Sequence, residues 1–160
     1  MAPSETLVKT AKAYLDAIST VNSDALAAIT TESFHVDMCP ASTGYSGQPI
    51  PRDALIQRFQ GLPGMISSMN IKIERLWPAN EASNQVTVWT TAEATFTPAV
   101  VQDDKKEDWV YKPETVFIFE MDESGEKVSK LFEFQDSLGF KDMNATFGRA
   151  MERLGMGQGQ

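Results

Sequence analysis

The sequence predicts an α+β fold, a cone-shaped curved antiparallel β-sheet with N-terminal helices covering its concave face and a C-terminal helix at the end. Two observations lead to this prediction. Helical periodicity dominates the chain up to about residue 60, and four long segments rich in Val, Ile, Thr, Phe and Trp then occupy 71–137. Helices covering one face of a curved sheet leave an open end that can hold a ligand.

The first 60 residues are predicted to be helical apart from one strand. Apolar residues at helical spacing predict a helix over residues 4–20, and Asn22 is a candidate cap for a shorter helix that follows. The alternating segment 33–38 predicts the first strand. A third helix is expected over 50–59, with Pro51 in its first turn, where the missing N–H costs nothing.

The second half is predicted to form antiparallel strands and a final helix. β-branched and aromatic residues, interrupted by turn-forming clusters, predict four strands within 71–78, 85–98, 108–121 and 127–137. A near-heptad apolar stripe from Phe140 to Leu154 predicts the last helix. Residues 155–160 carry little that could anchor them, so we expect a frayed tail.

Length and charge limit the classes of function. A chain of 160 residues is the size of one domain, and we expect residues 1–160 to form it. The formal charge of −8 argues against nucleic acid and against an anionic membrane as partners, because both would repel the chain. A lone cysteine and the lack of a signal-peptide pattern indicate a cytoplasmic protein.

The sequence contains no motif for a cofactor. It has no GxGxxG, GxxxxGK[ST] or GxSxG pattern, and its only histidine and cysteine, His35 and Cys39, are too few for the usual metal cluster. We therefore expect neither a cofactor nor a metal site.

Three segments, in this order, carry a family resemblance: the strand and loop "HVDMCPASTGYSG", the helix "IPRDALIQRF" and the strand "KVSKLFEFQDS". Together they are similar to the nuclear transport factor 2-like superfamily, also described as a cystatin-like α+β barrel. More narrowly, the chain resembles the SnoaL-like and ketosteroid-isomerase-like small-molecule enzymes, including those of fungal natural-product biosynthesis. The resemblance covers roughly residues 4 to 147.

The resemblance implies candidate residues and also departs from the family pattern. The family's oxyanion tyrosine matches Tyr14. The catalytic base of ketosteroid isomerases stands immediately before a proline, where this chain has Cys39, with Asp37 two residues earlier. A thiol is a poor substitute for a carboxylate base, and no group that would activate Cys39 as a nucleophile can be identified. Thr115 occupies the position of the family's protonated acid.

Glu133 is the first candidate for catalysis. It lies among apolar neighbours in the last strand, and burial raises the pKa of a carboxyl group toward neutrality. The alternative is that Glu133 pairs with a buried arginine such as Arg52 or Arg75. Asp136 resembles the aspartate that ends the last strand in SnoaL-like cyclases, but it could equally cap the turn into the final helix.

His35 and Asp37 are a second candidate pair. They alternate with Phe34, Val36 and Met38, and the family register turns His35, Asp37 and Cys39 toward the pocket. The carboxylate could then hold the imidazole for proton transfer. The alternative is a partly exposed polar face of an edge strand.

The remaining candidates are substrate-binding residues on the inward strand faces and at the rim. Those on the strands are Trp109, Tyr111, Thr115, Phe117, Val88, Thr90, Leu131 and Gln135, and Tyr45 lies in the Gly/Ser loop. Buried tyrosines such as Tyr14 and Tyr111 more often belong to the hydrophobic core than to a catalytic site.

Trp89 falls on the opposite, convex face of the sheet, where an exposed tryptophan suggests a homodimer interface.

These observations favour a cofactor-independent isomerase or cyclase acting on a small polyketide, terpenoid or alkaloid intermediate by acid–base catalysis. A dehydratase would use the same groups. The alternative from another class is a non-catalytic small-ligand-binding or dimeric scaffolding protein of the same fold. Polar residues at the inward positions 90, 115, 133 and 135 favour a ligand site over a filled core, because buried polar groups are costly without partners.

Overall fold

The computed structural model describes residues 1–45 and 47–156. Most of the segment predicted to be a frayed tail, residues 157–160, lies outside the described residues, as does Ser46 in the Gly/Ser loop.

Two helices open the chain. Helix α1 spans Ser4–Ser19 and buries a stripe that includes Leu7, Ala11 and Tyr14, because these residues recur at helical spacing. Helix α2 spans Ser23–Ile29, and the side-chain oxygen of Asn22 caps it by accepting a hydrogen bond from Ala25 N at 2.9 Å.

Six strands form one sheet. They are β1 (Thr30–Cys39), β2 (Ile50–Pro51), β3 (Ile66–Leu76), β4 (Gln85–Phe96), β5 (Glu114–Met121) and β6 (Val128–Gln135), in the spatial order β2-β1-β6-β5-β4-β3. All neighbouring pairs are antiparallel except β1 and β6, which are parallel. The predicted α+β class with a curved sheet is confirmed, but the sheet is mixed rather than purely antiparallel.

Three further helices complete the fold. Helix α3 spans Arg52–Gln60, α4 spans Pro98–Val101 and α5 spans Ser137–Arg153. Pro51 was predicted to lie in the first turn of this helix, and that prediction is wrong. It immediately precedes α3 and pairs with His35 of β1.

The strand predicted over 108–121 begins only at Glu114. Trp109 ends a short 3-10 helix, and Pro113 separates it from the strand. Because proline has no backbone N–H to donate to a neighbouring strand, the ladder of β5 starts immediately after it.

The hydrophobic core lies between α1 and the concave face of the sheet. It includes Leu7 and Tyr14 from α1, and Phe34, Phe119 and Leu131 from the strands, all with at most 1% of their surface exposed. Among the described residues, no helix has both the length and the apolar character needed to cross a bilayer.

Candidate active site

The inward face of β6 carries the main candidate. Leu131 and Gln135 are buried there, whereas Phe132 and Phe134 on the opposite face are 37% and 50% exposed. Because side chains alternate along a strand, Glu133 shares the inward face with Leu131 and Gln135. It lies opposite Phe117 of β5 and beside Met38 of β1.

A chain of two hydrogen bonds ends on the Glu133 carboxyl group. The Thr115 hydroxyl donates to Gln135 Oε1 at 2.9 Å, and Gln135 Nε2 donates to Glu133 Oε2 at 2.9 Å. Thr115 and Gln135 are direct partners across β5 and β6, which sets their side chains next to each other. Thr90 of β4 adds a hydroxyl on the same inward face, 3.5 Å from the backbone oxygen of Thr115.

Burial raises the pKa of Glu133 to about 7, although the hydrogen bond from Gln135 opposes part of the shift. At neutral pH the carboxyl group is therefore present in both protonation states. The arginines considered as its partners are occupied elsewhere, since Arg52 donates to Ala27 O at 2.9 Å and Arg75 stacks on Trp77. Glu133 is thus a partly buried residue whose carboxyl group forms no ion pair within the described part of the chain.

Tyr14 lies on α1 and reaches toward the same region. Its ring contacts Phe34 and Phe119, with centroids 5.9 Å and 5.4 Å away. Its hydroxyl is buried and has no hydrogen-bond partner within the described part of the chain. Burial raises the pKa of Tyr14 well above its usual value, and the nearby charge of Glu133 raises it further. The phenol therefore stays protonated and retains a free donor.

His35 and Asp37 are not part of this group, and the sequence-based assignment of their face is wrong. Phe34 and Val36 are each 1% exposed and fill the inward face of β1, so the residues between them project outward. Asp37 Oδ2 pairs with Lys130 Nζ at 3.0 Å on the convex side, and His35 is only partly buried.

Cys39 follows the same alternation as His35 and Asp37. Its thiol donates to the backbone oxygen of Glu133 at 3.4 Å. Burial and the nearby carboxylates Asp37 and Glu133 raise the pKa of Cys39. The thiolate form is disfavoured, which agrees with its dismissal as a nucleophile.

Asp136 is a helix cap. Its carboxylate accepts hydrogen bonds from Leu138 N and Gly139 N, each at 3.1 Å, and so satisfies two free N–H groups at the start of α5. Together with Trp89, Glu114 and Phe134 it borders a cleft of about 200 Å³ on the convex face. Its predicted catalytic role is therefore not supported by its position.

Trp109 and Tyr111 are buried but do not lie on the penultimate strand as predicted. Both rings pack against Phe96 at the end of β4, and Tyr111 also contacts Phe147 of α5. Burial raises the pKa of Tyr111, so its phenol is neutral. These residues form an aromatic cluster at the end of β4 and take no part in the hydrogen bonds from Thr115 to Gln135 and from Gln135 to Glu133.

Five other predicted binding residues lie on the inward face of the sheet, as the alternation along their strands predicts. Val88, Thr90, Thr115, Phe117 and Leu131 are all buried on inward strand positions. Tyr45 packs edge-on against Phe140 of α5, with ring centroids 6.2 Å apart, and lies under the guanidinium of Arg58.

The sequence analysis missed Met38, which projects inward beside Glu133. The signal was present, because the apolar residues at positions 34, 36 and 38 alternate with polar ones and so indicate a buried face. Within residues 1–45 and 47–156, no three His, Cys, Asp or Glu side chains are grouped so that they could hold a metal ion.

Solved structures share this architecture over nearly the full chain. BvnE pinacolase from Penicillium brevicompactum is 19% identical, with a TM-score of 0.74 over 91% of this chain and 96% of that one. PrhC from Penicillium brasilianum is also 19% identical, with a TM-score of 0.71 over 97% and 91% of the two chains. An NTF2-like protein from Burkholderia xenovorans is 17% identical, with a TM-score of 0.58 over 89% and 98%.

The chain has the nuclear transport factor 2-like fold. This confirms the fold expected from the sequence resemblance, and at such low identities the similarity is one of fold alone. No protein-family model matches the sequence, and no curated protein sequence matches it either. The residues on the concave side of the sheet are therefore the basis for a functional proposal.

Proposed function

We propose that the protein is an isomerase or cyclase that rearranges a small natural-product intermediate by general acid–base catalysis, without a cofactor. One observation carries the proposal. Glu133, a carboxyl group with a pKa of about 7, lies close enough to Tyr14 for its charge to raise the pKa of that phenol, whose hydroxyl has no partner among the described residues. A group that titrates near neutral pH can accept a proton and return it within one turnover.

Each of the two residues has a distinct role in the proposed reaction. Glu133 takes a proton from the substrate and delivers it to another atom, which is the net change in an isomerisation. Tyr14 donates a hydrogen bond to the substrate oxygen that gains negative charge in the transition state. General acid–base catalysis contributes about 10²–10⁴ in rate, and removal of one oxyanion donor costs about 10²–10³.

The surrounding side chains favour an uncharged, mostly apolar substrate. The inward neighbours of Glu133 on the strands are Met38, Phe117 and Leu131, with the hydroxyl of Thr90 nearby. An anionic substrate would face the Glu133 carboxylate with no described cation to offset the repulsion. A carbonyl or hydroxyl oxygen on the substrate would satisfy the free Tyr14 donor.

The similarity in fold to BvnE pinacolase supports a reaction that rearranges the substrate. A protein named a pinacolase has the same fold over nearly the full length of both chains, so the fold accommodates an enzyme of this kind. Dehydration would need the same acid and base, and the product of the reaction distinguishes it from an isomerisation.

Deletion of the gene in its host, followed by mass spectrometry, tests the proposal. We expect a compound to accumulate that the purified protein converts to a product of identical mass, and Glu133→Gln should abolish the conversion. A product lighter by one water molecule would identify a dehydratase instead. An unchanged metabolite profile, with no compound converted in vitro, would contradict an enzymatic role.

We also propose a homodimer formed through the convex face of the sheet. Phe132 and Phe134 are exposed there, beside Trp89, whose Nε1 donates to Glu114 Oε2 at 3.0 Å. The same face carries the ion pair between Lys130 and Asp37. A surface with exposed aromatic residues and charges of both signs can be self-complementary about a two-fold axis.

We further propose a cytoplasmic location and a single domain. The free thiol of Cys39 and the lack of any second cysteine support a location in the reducing cytoplasm. The length of the chain supports a single domain over residues 1–160.

A further inference from the structure

Glu133 Oε2 is already engaged by a neighbouring side chain. Gln135 Nε2, a pure donor, lies 2.9 Å from this oxygen. An oxygen that faces an N–H donor cannot also direct a proton of its own along the same line. In a protonated carboxyl group the carbonyl oxygen is a better acceptor than the hydroxyl oxygen, so this hydrogen bond favours a proton on Oε1.

The orientation of the Gln135 amide is in turn set by Thr115. The Thr115 hydroxyl donates to Gln135 Oε1 at 2.9 Å, which turns the NH₂ end of the amide toward Glu133. Thr115 and Gln135 are 6% and 8% exposed, so water competes little for these two hydrogen bonds. Their cross-strand pairing fixes the spacing of the backbone on which both side chains stand.

We propose that Thr115 and Gln135 are positioning residues that reserve Oε2 of Glu133 as a hydrogen-bond acceptor and leave Oε1 to carry the proton exchanged with the substrate. The proposal rests on the acid–base function of Glu133 given above. Neither residue needs to touch the substrate. No covalent bond changes in Thr115 or Gln135, and the only group that gains or loses a proton is the Glu133 carboxyl.

The other titratable groups near Glu133 do not interfere with its titration around neutral pH. Tyr14 faces it from α1, and the Cys39 thiol contacts its backbone oxygen from β1. The pKa values of both groups are raised, so both are neutral at pH 7. Asp37 and Lys130 pair with each other on the opposite face of the sheet.

Three variants separate positioning from packing. Gln135→Leu removes the donor to Oε2, and we expect the pKa of Glu133 to rise by roughly one unit. Thr115→Val retains the shape of the side chain but removes the donor that orients the Gln135 amide. The amide oxygen can then turn toward protonated Glu133 and stabilise the protonated form, so the pKa of Glu133 should also rise. Thr115→Ser retains the donor and should leave the pKa at the wild-type value.

The measurement is a pH titration of the Glu133 carboxyl carbon by NMR in the full-length protein labelled with ¹³C-glutamate. Thr146→Val is the matched control, because its buried hydroxyl donates to Asp142 O on α5, outside the hydrogen bonds at Glu133. This variant should not move the titration. The positioning role of Thr115 is overturned if Thr115→Val titrates as wild type, and that of Gln135 is overturned if Gln135→Leu does so.

The titration needs no substrate, so its outcome is separable from the proposed reaction. If the pKa shifts occur but Glu133→Gln retains turnover, the hydrogen-bond arrangement stands and the catalytic assignment fails. If Glu133→Gln loses turnover but no variant moves the pKa, the catalytic assignment stands and the positioning role fails. If a variant does not fold, as judged by circular dichroism, the same titration in Gln135→Met provides the test, because methionine fills a similar volume without a donor.

Discussion

Met38 of β1 and Glu133 of β6 are register partners in the parallel pair of strands, so both side chains project from the concave face of the sheet. Asp37 consequently projects from the convex face, where its carboxylate pairs with Lys130. Asp37 and Glu133, two of the three carboxyl groups proposed from the sequence as catalysts, are thus on opposite faces of the sheet.

This separation predicts different outcomes for two isosteric variants. Asp37→Asn should retain wild-type turnover, and Glu133→Gln should lose it by a factor of about 10² or more. The Asp37–Lys130 pair is about one-third exposed on both sides, so its loss should cost at most about 1 kcal/mol of unfolding free energy. Steady-state kinetics and urea denaturation of both variants provide the measurement. A large loss of turnover in Asp37→Asn with native stability would contradict the placement.

The stability of the protein should depend on the ionisation of Glu133. Because its pKa is raised from about 4.5 to about 7 on folding, the native state binds the proton more tightly than the unfolded state. Its contribution to stability is complete below about pH 4.5 and is lost as the pH rises toward 7. At about 1.4 kcal/mol per pH unit between about 4.5 and about 7, the loss amounts to at most about 3.5 kcal/mol.

Urea denaturation of Glu133→Gln between pH 4 and pH 8 measures this effect. The variant cannot ionise at this position, so relative to wild type it should become more stable as the pH rises from 4.5 to 8. Asp37→Asn serves as the control, since the Asp37 carboxylate lies on the opposite face of the sheet and pairs with Lys130. A stability difference between wild type and Glu133→Gln that does not change with pH would contradict the raised pKa.

Tyr14→Phe should separate function from stability. The substitution removes a buried hydroxyl that has no partner in the described structure and leaves the ring contacts with Phe34 and Phe119 in place. An unsatisfied buried hydroxyl costs about 1–3 kcal/mol, so the unfolding free energy should stay the same or increase. Turnover should fall by about 10²–10³ because the oxyanion donor is lost.

The comparison variant for Tyr14 is Tyr111→Phe. Tyr111 is also a buried phenol, but it belongs to the aromatic cluster with Phe96 and Phe147. Its turnover should remain close to that of wild type. If both tyrosine variants lose turnover equally, the hydroxyl of Tyr14 has no special role.

Local hydrophobic alternation alone does not identify the face of Glu133, because the apolar Phe132 and Phe134 are the exposed set on this strand. Leu131, Glu133 and Gln135 are separated by Phe132 and Phe134, and the position of this strand in the fold identified the inward set correctly. On β1 the family register indicates the wrong face, whereas the alternation of Phe34, Val36 and Met38 indicates the buried one. Burial therefore follows hydrophobic alternation on β1, whereas on β6 the place of the strand in the fold identifies the inward face.

Other features depend on contacts between distant parts of the chain. The parallel pairing of β1 with β6 joins opposite ends of the sequence, and no local pattern encodes its direction. The hydrogen bonds from Thr115 to Gln135 and from Gln135 to Glu133 require the register of β5 against β6. The late start of β5 was readable from Pro113, whose missing N–H interrupts a strand.

The convex face of the sheet carries exposed aromatic residues that favour assembly. Phe132 and Phe134 are 37% and 50% exposed on neighbouring outward positions of β6, and Trp89 lies on the same face of β4. A patch of exposed aromatic residues on a sheet is typical of a protein–protein interface. We expect size-exclusion chromatography with light scattering at micromolar concentration to give the mass of two chains.

The variants Phe132→Ser and Phe134→Ser should shift the measured mass to that of one chain, because each removes apolar surface from the centre of the interface. Ile73→Ser is the matched control, since Ile73 is 37% exposed but lies on the side of the sheet that α1 covers, beside Leu15. It should leave the dimer intact. A wild-type mass near 17.7 kDa would exclude the dimer at that concentration, and dissociation by Ile73→Ser alone would place the interface on the other side of the sheet.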